Sequence, residues 1–457
     1  MNNKKLLKTI LISLLIFALL TWIIKTGSYT NGTYTEGSLE PLGLFDLIYY
    51  PLQSFQTYVQ YGVYLLIVGG FYGILKKTGV YNNIVGACAK EKNRTSFLII
   101  TVILLALLSS IFGIMMGLFV LVPFFKDVLE ALGYDKKNAM LATIGAIFVG
   151  IIGSLLAFDV SGYINYFYKV GYTSLLVFKV AILLITCALL IIYIKKSNKD
   201  FNPKEIETDK KVKTMPALVI TLIALIVGFI SMFSWSYAFN INVFEDLHTA
   251  ISEIQVNNFS IVSGILGQNI KALGTCSEVE FSAVLLIASI AISWIYGLKA
   301  KDMYDGFAEG AKKLIPMSIF TTLSFVILMP FFTSQTGQSI IYTIFNKIIG
   351  LSKEVSILPI TILSSVGTFF YGQFIYLASD LSTVLQTAYS DGYSIMTFIM
   401  QTIYGLTLFV TPTSALLLGG LSYFDIGYKE WIKYIYKFVL ITLGILLVTF
   451  LIIGWVI

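Results

Sequence analysis

Residues 90–137 read KEKNRTSFLIITVILLALLSSIFGIMMGLFVLVPFFKDVLEALGYDKK. The apolar run from Ser96 to Phe125 is preceded by Lys90, Lys92 and Arg94 and followed by Lys126, Lys136 and Lys137. Basic loops mark the cytoplasmic side of a membrane, so both ends of this run lie on one face. At roughly 30 residues it exceeds the ~20 that one span needs, and it is interrupted at Ser109, Ser110 and Gly113. A run with these properties predicts a re-entrant helical hairpin, which enters the bilayer and turns back.

Composition places the remainder in the same solvent. The chain is 57% hydrophobic and 12% charged, with mean hydropathy +0.84, whereas soluble domains carry about 25% charged residues. Runs such as Leu6–Ile24, Ser174–Ile194, Met215–Phe233 and Tyr434–Val456 have the length of a helical span. A β-barrel would show alternating segments of about 10 residues instead. The net charge of +6 sits in short loops between apolar runs, where the positive-inside bias puts it, so no nucleic acid partner is expected. Cys88, Cys187, Cys276 and the single His248 have no metal-ligand spacing, so neither metal nor other cofactor is expected. Lys4, Lys5 and Lys8 precede an apolar run without a small-residue cleavage pattern, which reads as a retained first span.

Threaded from a cytoplasmic N-terminus, spans 1 (about 6–24) and 2 (about 47–75) precede the first hairpin, 96–125. Span 3 starts near Asn138 and is broken around Gly150, Gly153 and Ser154; span 4 is 174–194. These make a first repeat, 1–195. Residues 196–280 hold a basic loop, linker span 5 (about 215–236) and a moderately apolar segment from Asn240 to Glu280, with Glu245, Asp246, Glu253, Asn257 and Asn258. That segment is too polar to span and is expected along the outer interface. A second repeat, 281–457, holds spans 6 (about 281–298) and 7 (about 314–332) and a hairpin, 355–378, after Lys353 and Glu354. Span 8 (about 393–424) follows, broken at Thr411-Pro412-Thr413-Ser414, and then span 9 (434–456). The reading is an all-α polytopic inner-membrane protein with about nine spans and two re-entrant hairpins, its C-terminus outside.

Matching marks recur in the same order: Thr21-Trp22-Ile23 with Ser293-Trp294-Ile295, Thr78-Gly79 with Thr336-Gly337, Ser109-Ser110 with Ser364-Ser365, Gly171-Tyr172 with Gly427-Tyr428. Unpaired span 5 turns the second unit over, giving an inverted repeat. Such repeats place a solute site near the midplane, where hairpin tips and broken helices meet.

The segments Leu65–Gly73 (LLIVGGFYG), Lys77-Thr78-Gly79, Phe112-Gly113, Leu132–Asp135 (LGYD), Phe307–Ala311 (FAEGA) and Thr411–Ser414 (TPTS) together resemble the C4-dicarboxylate anaerobic carrier family (YfcC/DcuC-like), within the wider ion transporter superfamily. The resemblance covers nearly the whole chain. It implies an elevator-type or related carrier for dicarboxylates or amino acids, a symporter or an exchanging antiporter, coupled to Na⁺ or protons, and a homodimer. Two departures stand out. Met115-Met116-Gly117 occupies the place of an acidic pair, and Ala157-Phe158-Asp159-Val160 that of a proline-containing break.

Candidate substrate-binding residues are Ser109, Ser110, Gly113 and Ser154 in the first half and Ser364, Ser365, Thr368, Gln373, Thr413 and Ser414 in the second. Hydroxyls beside freed backbone N–H groups suit a carboxylate; the bland reading is serine bonding back to its own helix or joining helices. Asp159, Thr411 and Pro412 are candidates for ion coupling, since an intramembrane carboxylate and unwound carbonyls bind cations. Asp159 reads equally as an interfacial residue paired with Lys169. Asp380 and Asp391 read as solvated, Lys179 as snorkelling outward, and Tyr163, Tyr166, Tyr168 and Tyr172 as an outer belt. No nucleophile–base constellation and no GxxxxGK[ST] motif is visible, so the chain is expected to be neither an enzyme nor a primary pump. The expected function is secondary transport of a small organic anion or amino acid; a channel or non-transporting sensor on the same fold stays open.

Overall fold

The computed structural model describes residues 2–30, 32–198, 201–209, 211–256, 259–267, 269–333, 336–350 and 356–456. Lys353, Glu354, Val355, Asn257 and Asn258 lie outside the described residues, as does the side chain of Thr336.

In chain order the first half holds α1 (Asn2–Ile23), an antiparallel hairpin of β1 (Gly27–Thr30) and β2 (Thr33–Glu36), α2 (Asp46–Lys77), α3 (Val80–Cys88), α4 (Arg94–Phe112), α5 (Val122–Ala131), α6 (Lys136–Met140), α7 (Ala146–Ile152), α8 (Tyr163–Tyr168) and α9 (Leu176–Ser197). The middle holds α10 (Met215–Met232), α11 (Trp235–Phe239), α12 (Val243–Ser252), the short pair β3 (Gln255–Val256) and β4 (Phe259–Ser260), and α13 (Ile261–Leu266). The second half holds α14 (Glu278–Ile295), α15 (Ala300–Leu323), α16 (Met329–Thr333), α17 (Thr336–Ile349), α18 (Ile357–Tyr371), α19 (Phe374–Ala388), α20 (Tyr393–Thr407), α21 (Ala415–Tyr423) and α22 (Tyr428–Val456).

The chain is an all-α polytopic membrane protein. Eight helices of the described residues are long and apolar enough to cross a bilayer. They are the predicted spans 1, 2, 4, 5, 6, 7 and 9 together with α4, the first arm of the first hairpin. Spans 3 and 8 are interrupted and fall short of that length in any one piece. Long apolar faces stay exposed, such as Ile12, Leu15, Ile16 and Leu19 on α1 and Leu451 and Ile452 on α22, as on helices that face lipid.

The first hairpin closes on itself. Arg94 at the start of α4 donates Nε to the Leu132 carbonyl beyond the end of α5, at 3.0 Å, and Phe97 packs its ring on Phe124 and Phe125. Its returning arm is a 3₁₀ turn, Gly117–Leu121, followed by α5. The second hairpin differs from the expected 355–378: α18 runs to Tyr371, the turn is Gly372-Gln373, and α19 continues to Ala388. Asp380 is therefore not in a solvated loop but on the returning arm, and it is buried; hydropathy stops at Ala378 because the arm is amphipathic. Residues 300–313, between the expected spans 6 and 7, are the first turns of α15. The 14-residue α17, too short for a span, buries Ile340, Ile341 and Phe345. Across 240–280 no described helix is long enough to cross, and α12 buries no residue.

By contact the chain forms two compact units, one of residues 1–65, 85–206 and 314–457, the other of 66–84 and 207–313. Both draw on each predicted repeat. In the smaller unit two of the family-like segments turn out to be one helix crossing. A Cβ on Gly73 would lie 2.0 Å from the Gly306 carbonyl oxygen, and one on Gly310 would lie 2.1 Å from that of Gly69. Two GxxxG patterns thus let α2 and α15 approach backbone to backbone. The larger unit holds both hairpins and both broken helices.

Candidate functional site

Each hairpin tip is docked on the helix break that follows it. The last turn of α4 has carbonyls without helical N–H donors, and the break after α7 has N–H groups without helical acceptors. They satisfy one another. The Ser110 carbonyl accepts from the N–H groups of Leu155, Leu156 and Ala157 at 2.9, 3.1 and 3.3 Å. The Ser110 hydroxyl donates to the Gly153 carbonyl at 2.8 Å and accepts from Leu155 N–H at 3.2 Å. Ser109 donates to the Ile147 carbonyl at 2.8 Å. Gly113 turns the chain at φ 76°, with room only for hydrogen, because a Cβ would lie 2.8 Å from the Ala157 Cβ. Ser154 lies 3.5 Å, oxygen to oxygen, from Ser161 on the π-helical turn Phe158–Gly162.

The second tip repeats the arrangement with different side chains. Gly372 has φ 67°, and a Cβ there would lie 2.3 Å from the Thr413 carbonyl oxygen. Thr413 donates its hydroxyl to the Thr368 carbonyl at 3.2 Å and lies 2.7 Å from the Thr411 hydroxyl. Pro412 between them has no N–H to continue a helix, and Ser414 restarts it by accepting from Leu417 N–H. Gln373, half-buried, stands at the turn in extended backbone.

Counted back from the left-handed glycine, Ser109 corresponds to Thr368, so the sequence pairing of Ser109-Ser110 with Ser364-Ser365 is one helical turn out of register. Ser364 and Thr368 donate to the carbonyls of Ile360 and Ser364, the bland reading of both hydroxyls. Ser365 instead reaches the Thr407 hydroxyl of α20 at 3.2 Å.

The broken helices α7 and α20 join the two tips. A Cβ on Gly405 would lie 2.6 Å from Ile152 N, so the crossing is a backbone contact. Gln401 donates Nε2 to the carbonyls of Ser154 and Ile152, at 3.0 and 3.4 Å. Tyr404 donates to the Gly372 carbonyl at 3.3 Å. Asp159, on the same π-helical turn as Ser161, is exposed. Ser109, Ser110, Gly113 and Ser154 therefore gather at the first break, and Thr368, Gln373, Thr411, Pro412 and Thr413 at the second. Ser365 sits against α20, Asp159 is exposed on the turn after the first break, and Ser364 and Ser414 serve their own helices.

A family model described as C4-dicarboxylate anaerobic carrier matches residues 38–456. The chain belongs to the C4-dicarboxylate anaerobic carrier family. An uncharacterized protein of Haemophilus influenzae is 23% identical over 394 residues, covering 82% of this chain and 71% of its own. The crystal structure of the Alcanivorax borkumensis YdaH transporter, described as having an unusual topology, aligns over 99% of this chain and 98% of its own at 13% identity and a TM-score of 0.43.

As a member of that carrier family the chain is a membrane transporter, and its family-like segments have physical roles in the fold. Asp135 of LGYD caps α6 by accepting from Asn138 N–H at 2.8 Å, and Gly133 takes φ 94° in the turn before it. At the acidic-pair position of the resemblance, Met116 is buried and the Gly117 carbonyl accepts from Tyr64 Oη at 2.6 Å.

Four residues that the sequence did not bring to this region stand around the two tips and their breaks. Gln401, Tyr404 and Gly405 face the first break and second tip from α20; an amide inside the apolar run 396–410 was the available signal. Asp380 accepts from Tyr371 Oη on one oxygen and, at 3.4 Å, from Tyr342 Oη on the other. Two further expectations are corrected. Lys179 is buried at 4% exposure rather than snorkelling, and Tyr168 is buried against Met400 rather than lying in an outer belt.

Proposed function

We propose that the chain is a secondary active carrier of a small organic anion, a C4-dicarboxylate or an amino acid, working by alternating access across the cell's inner membrane. What supports this reading most directly is the docking of the Ser110 carbonyl on three successive N–H groups, Leu155 to Ala157. Convergent N–H groups at an irregular backbone bind carboxylate oxygens as readily as a carbonyl. A solute carboxylate takes the place of Ser110, the first tip moves off its break, and the path opens toward one side. The second tip and break, with Thr368, Thr411 and Thr413, do the same for the other side, as an inverted repeat allows. Backbone carbonyls at the Pro412 break and the Asp159 carboxylate supply the coupling site for Na⁺ or a proton. In this reading the N-terminus is cytoplasmic, the C-terminus is outside, and the carrier works without a cofactor as a homodimer.

Uptake of radiolabelled succinate and a panel of amino acids into proteoliposomes tests it, with imposed Na⁺ and proton gradients or preloaded counter-solute. The expected result is gradient- or exchange-dependent uptake that Ser110→Ala combined with Ser365→Ala lowers by more than about tenfold. That corresponds to about 1.4 kcal/mol or more, within what loss of buried hydrogen bonds costs. A folded protein that binds one of these solutes but moves none of them overturns the carrier reading in favour of a sensor.

A further inference from the structure

Among the described residues Asp380 is the one acidic side chain that is buried, at 6% exposure. It lies on α19, the returning arm of the second hairpin, and accepts from two phenols. Tyr371 Oη donates to Oδ2 from the last residue of α18, so this bond joins the two arms directly behind the Gly372-Gln373 turn. Tyr342 Oη donates to Oδ1 from α17, at 3.4 Å. The two phenols differ in their access to solvent. Tyr371 is buried beside Phe331 and Tyr376, whereas Tyr342 is half-buried and meets the half-buried Tyr29 of the β1–β2 hairpin edge to face. The elements packed against α19 are α17, α18, α8 and the π-helical turn before α8. Besides the two phenols, their titratable side chains are Lys347 on α17, Tyr163, Tyr166 and Tyr168 on α8, and Asp159 on the turn. Lys347, Tyr166 and Asp159 are exposed, and Tyr168 donates to Met400.

We infer that Asp380 is a proton-operated latch on the second hairpin: ionised, it clasps the two arms behind the tip, and protonated, it lets the tip leave its break. An ionised carboxylate accepts from both phenols, and bonds to a charged acceptor are about twice as strong as neutral ones. A proton arriving past the half-buried Tyr342 binds Oδ1, and the new O–H donates to Tyr342 Oη instead of accepting from it. Oδ2 becomes a neutral carbonyl oxygen, so the Tyr371 bond between the arms weakens to an ordinary one. The turn at Gly372 is then held by Tyr404 and by its contact with the Thr413 carbonyl, with less support from behind. The latch acts from the arm, in addition to the coupling site at the break. Its part in transport rests on the carrier reading above; the latch itself does not.

The test places Gln373→Cys at the tip of the purified full-length protein, in a background lacking Cys88, Cys187 and Cys276. Its rate of modification by a thiol reagent in detergent is compared at each pH with that of the same protein carrying Asp380→Asn, so that the thiol's own ionisation cancels. The two are expected to label alike at acid pH. At alkaline pH the asparagine variant is expected to label about tenfold faster, the difference between a charge-assisted and a neutral hydrogen bond. Tyr371→Phe removes the clasp from the other arm and is expected to show the same pattern; it decides the matter if the asparagine variant does not fold. In proteoliposomes, solute exchange is expected to vary with pH in wild type and not in Asp380→Asn. If wild type moves no solute yet keeps this Asp380-dependent response at the tip, the carrier reading falls and the latch stands. If the ratio of labelling rates stays constant across pH for both variants, the latch is overturned.

Discussion

Gly372→Val is expected to abolish solute uptake by reconstituted protein. The residue turns the chain between the arms of the second hairpin at φ 67°, and a Cβ there would stand 2.3 Å from the Thr413 carbonyl oxygen. A branched side chain in the left-handed region costs about 1–2 kcal/mol, and forcing a backbone contact apart adds about 1–3 kcal/mol. The tip relieves the contact by leaving the break, which separates Thr413 from the Thr368 carbonyl and Tyr404 from the Gly372 carbonyl. Uptake below a tenth of wild type is expected from a protein that still elutes as one species in detergent. Gly372→Ala, unbranched, should retain a larger fraction. Wild-type uptake by the valine variant would mean that tip and break need not meet.

Gly405→Leu acts at the other essential contact, and its expected effect is as large. The α7–α20 crossing has Gly405 against Ile152 N, where a Cβ would lie 2.6 Å away. Leucine has to push the broken helices apart, by overpacking that costs about 1–3 kcal/mol or more. Gln401 then loses the Ser154 and Ile152 carbonyls, and two buried carbonyls lose a donor. Loss of uptake with a lowered thermal midpoint is expected, and Gln401→Ala should reproduce part of the first without the steric component. Leucine tolerated with normal uptake and midpoint would show that the halves are not coupled through this crossing.

How far the sequence disclosed this arrangement depends on the kind of signal each residue leaves. Same-side basic flanks around 96–125 predict a chain that turns back on itself, because charge asymmetry and helix length are strong physical constraints, and Arg94 lies against the Leu132 carbonyl. The Thr411–Ser414 break was legible because proline cannot continue a helix. The second hairpin was cut short at 378 because α19 is amphipathic and carries Asp380 on its buried side; hydropathy records an average, and a carboxylate paired with tyrosines lowers it as a solvated one does. The register of Ser364-Ser365 failed for a related reason. Paired serines are a compositional resemblance, while the tip is set by the glycine that can adopt positive φ, Gly113 in one half and Gly372 in the other. Gly69, Gly73 and Gly310 stand in family-like segments and, with Gly306, let two helices close on each other, which no single segment reveals. Lys179 was misjudged because a lysine near a helix end ordinarily reaches the interface. Its burial follows from α20 lying over it, a tertiary fact.

The central claim is that one solute site, between the two tips and their breaks, opens to each side in turn. Gln373→Cys in a background lacking Cys88, Cys187 and Cys276 reports on it directly, since this half-buried residue stands at the second tip. Modification by a membrane-impermeant thiol reagent would be followed in right-side-out and inside-out vesicles, with and without succinate. The account predicts labelling in both vesicle types and protection by succinate in at least one, without any leak of solute in the absence of a counter-solute or gradient. Labelling from a single side under every condition, or labelling from both accompanied by a continuous leak, would contradict it.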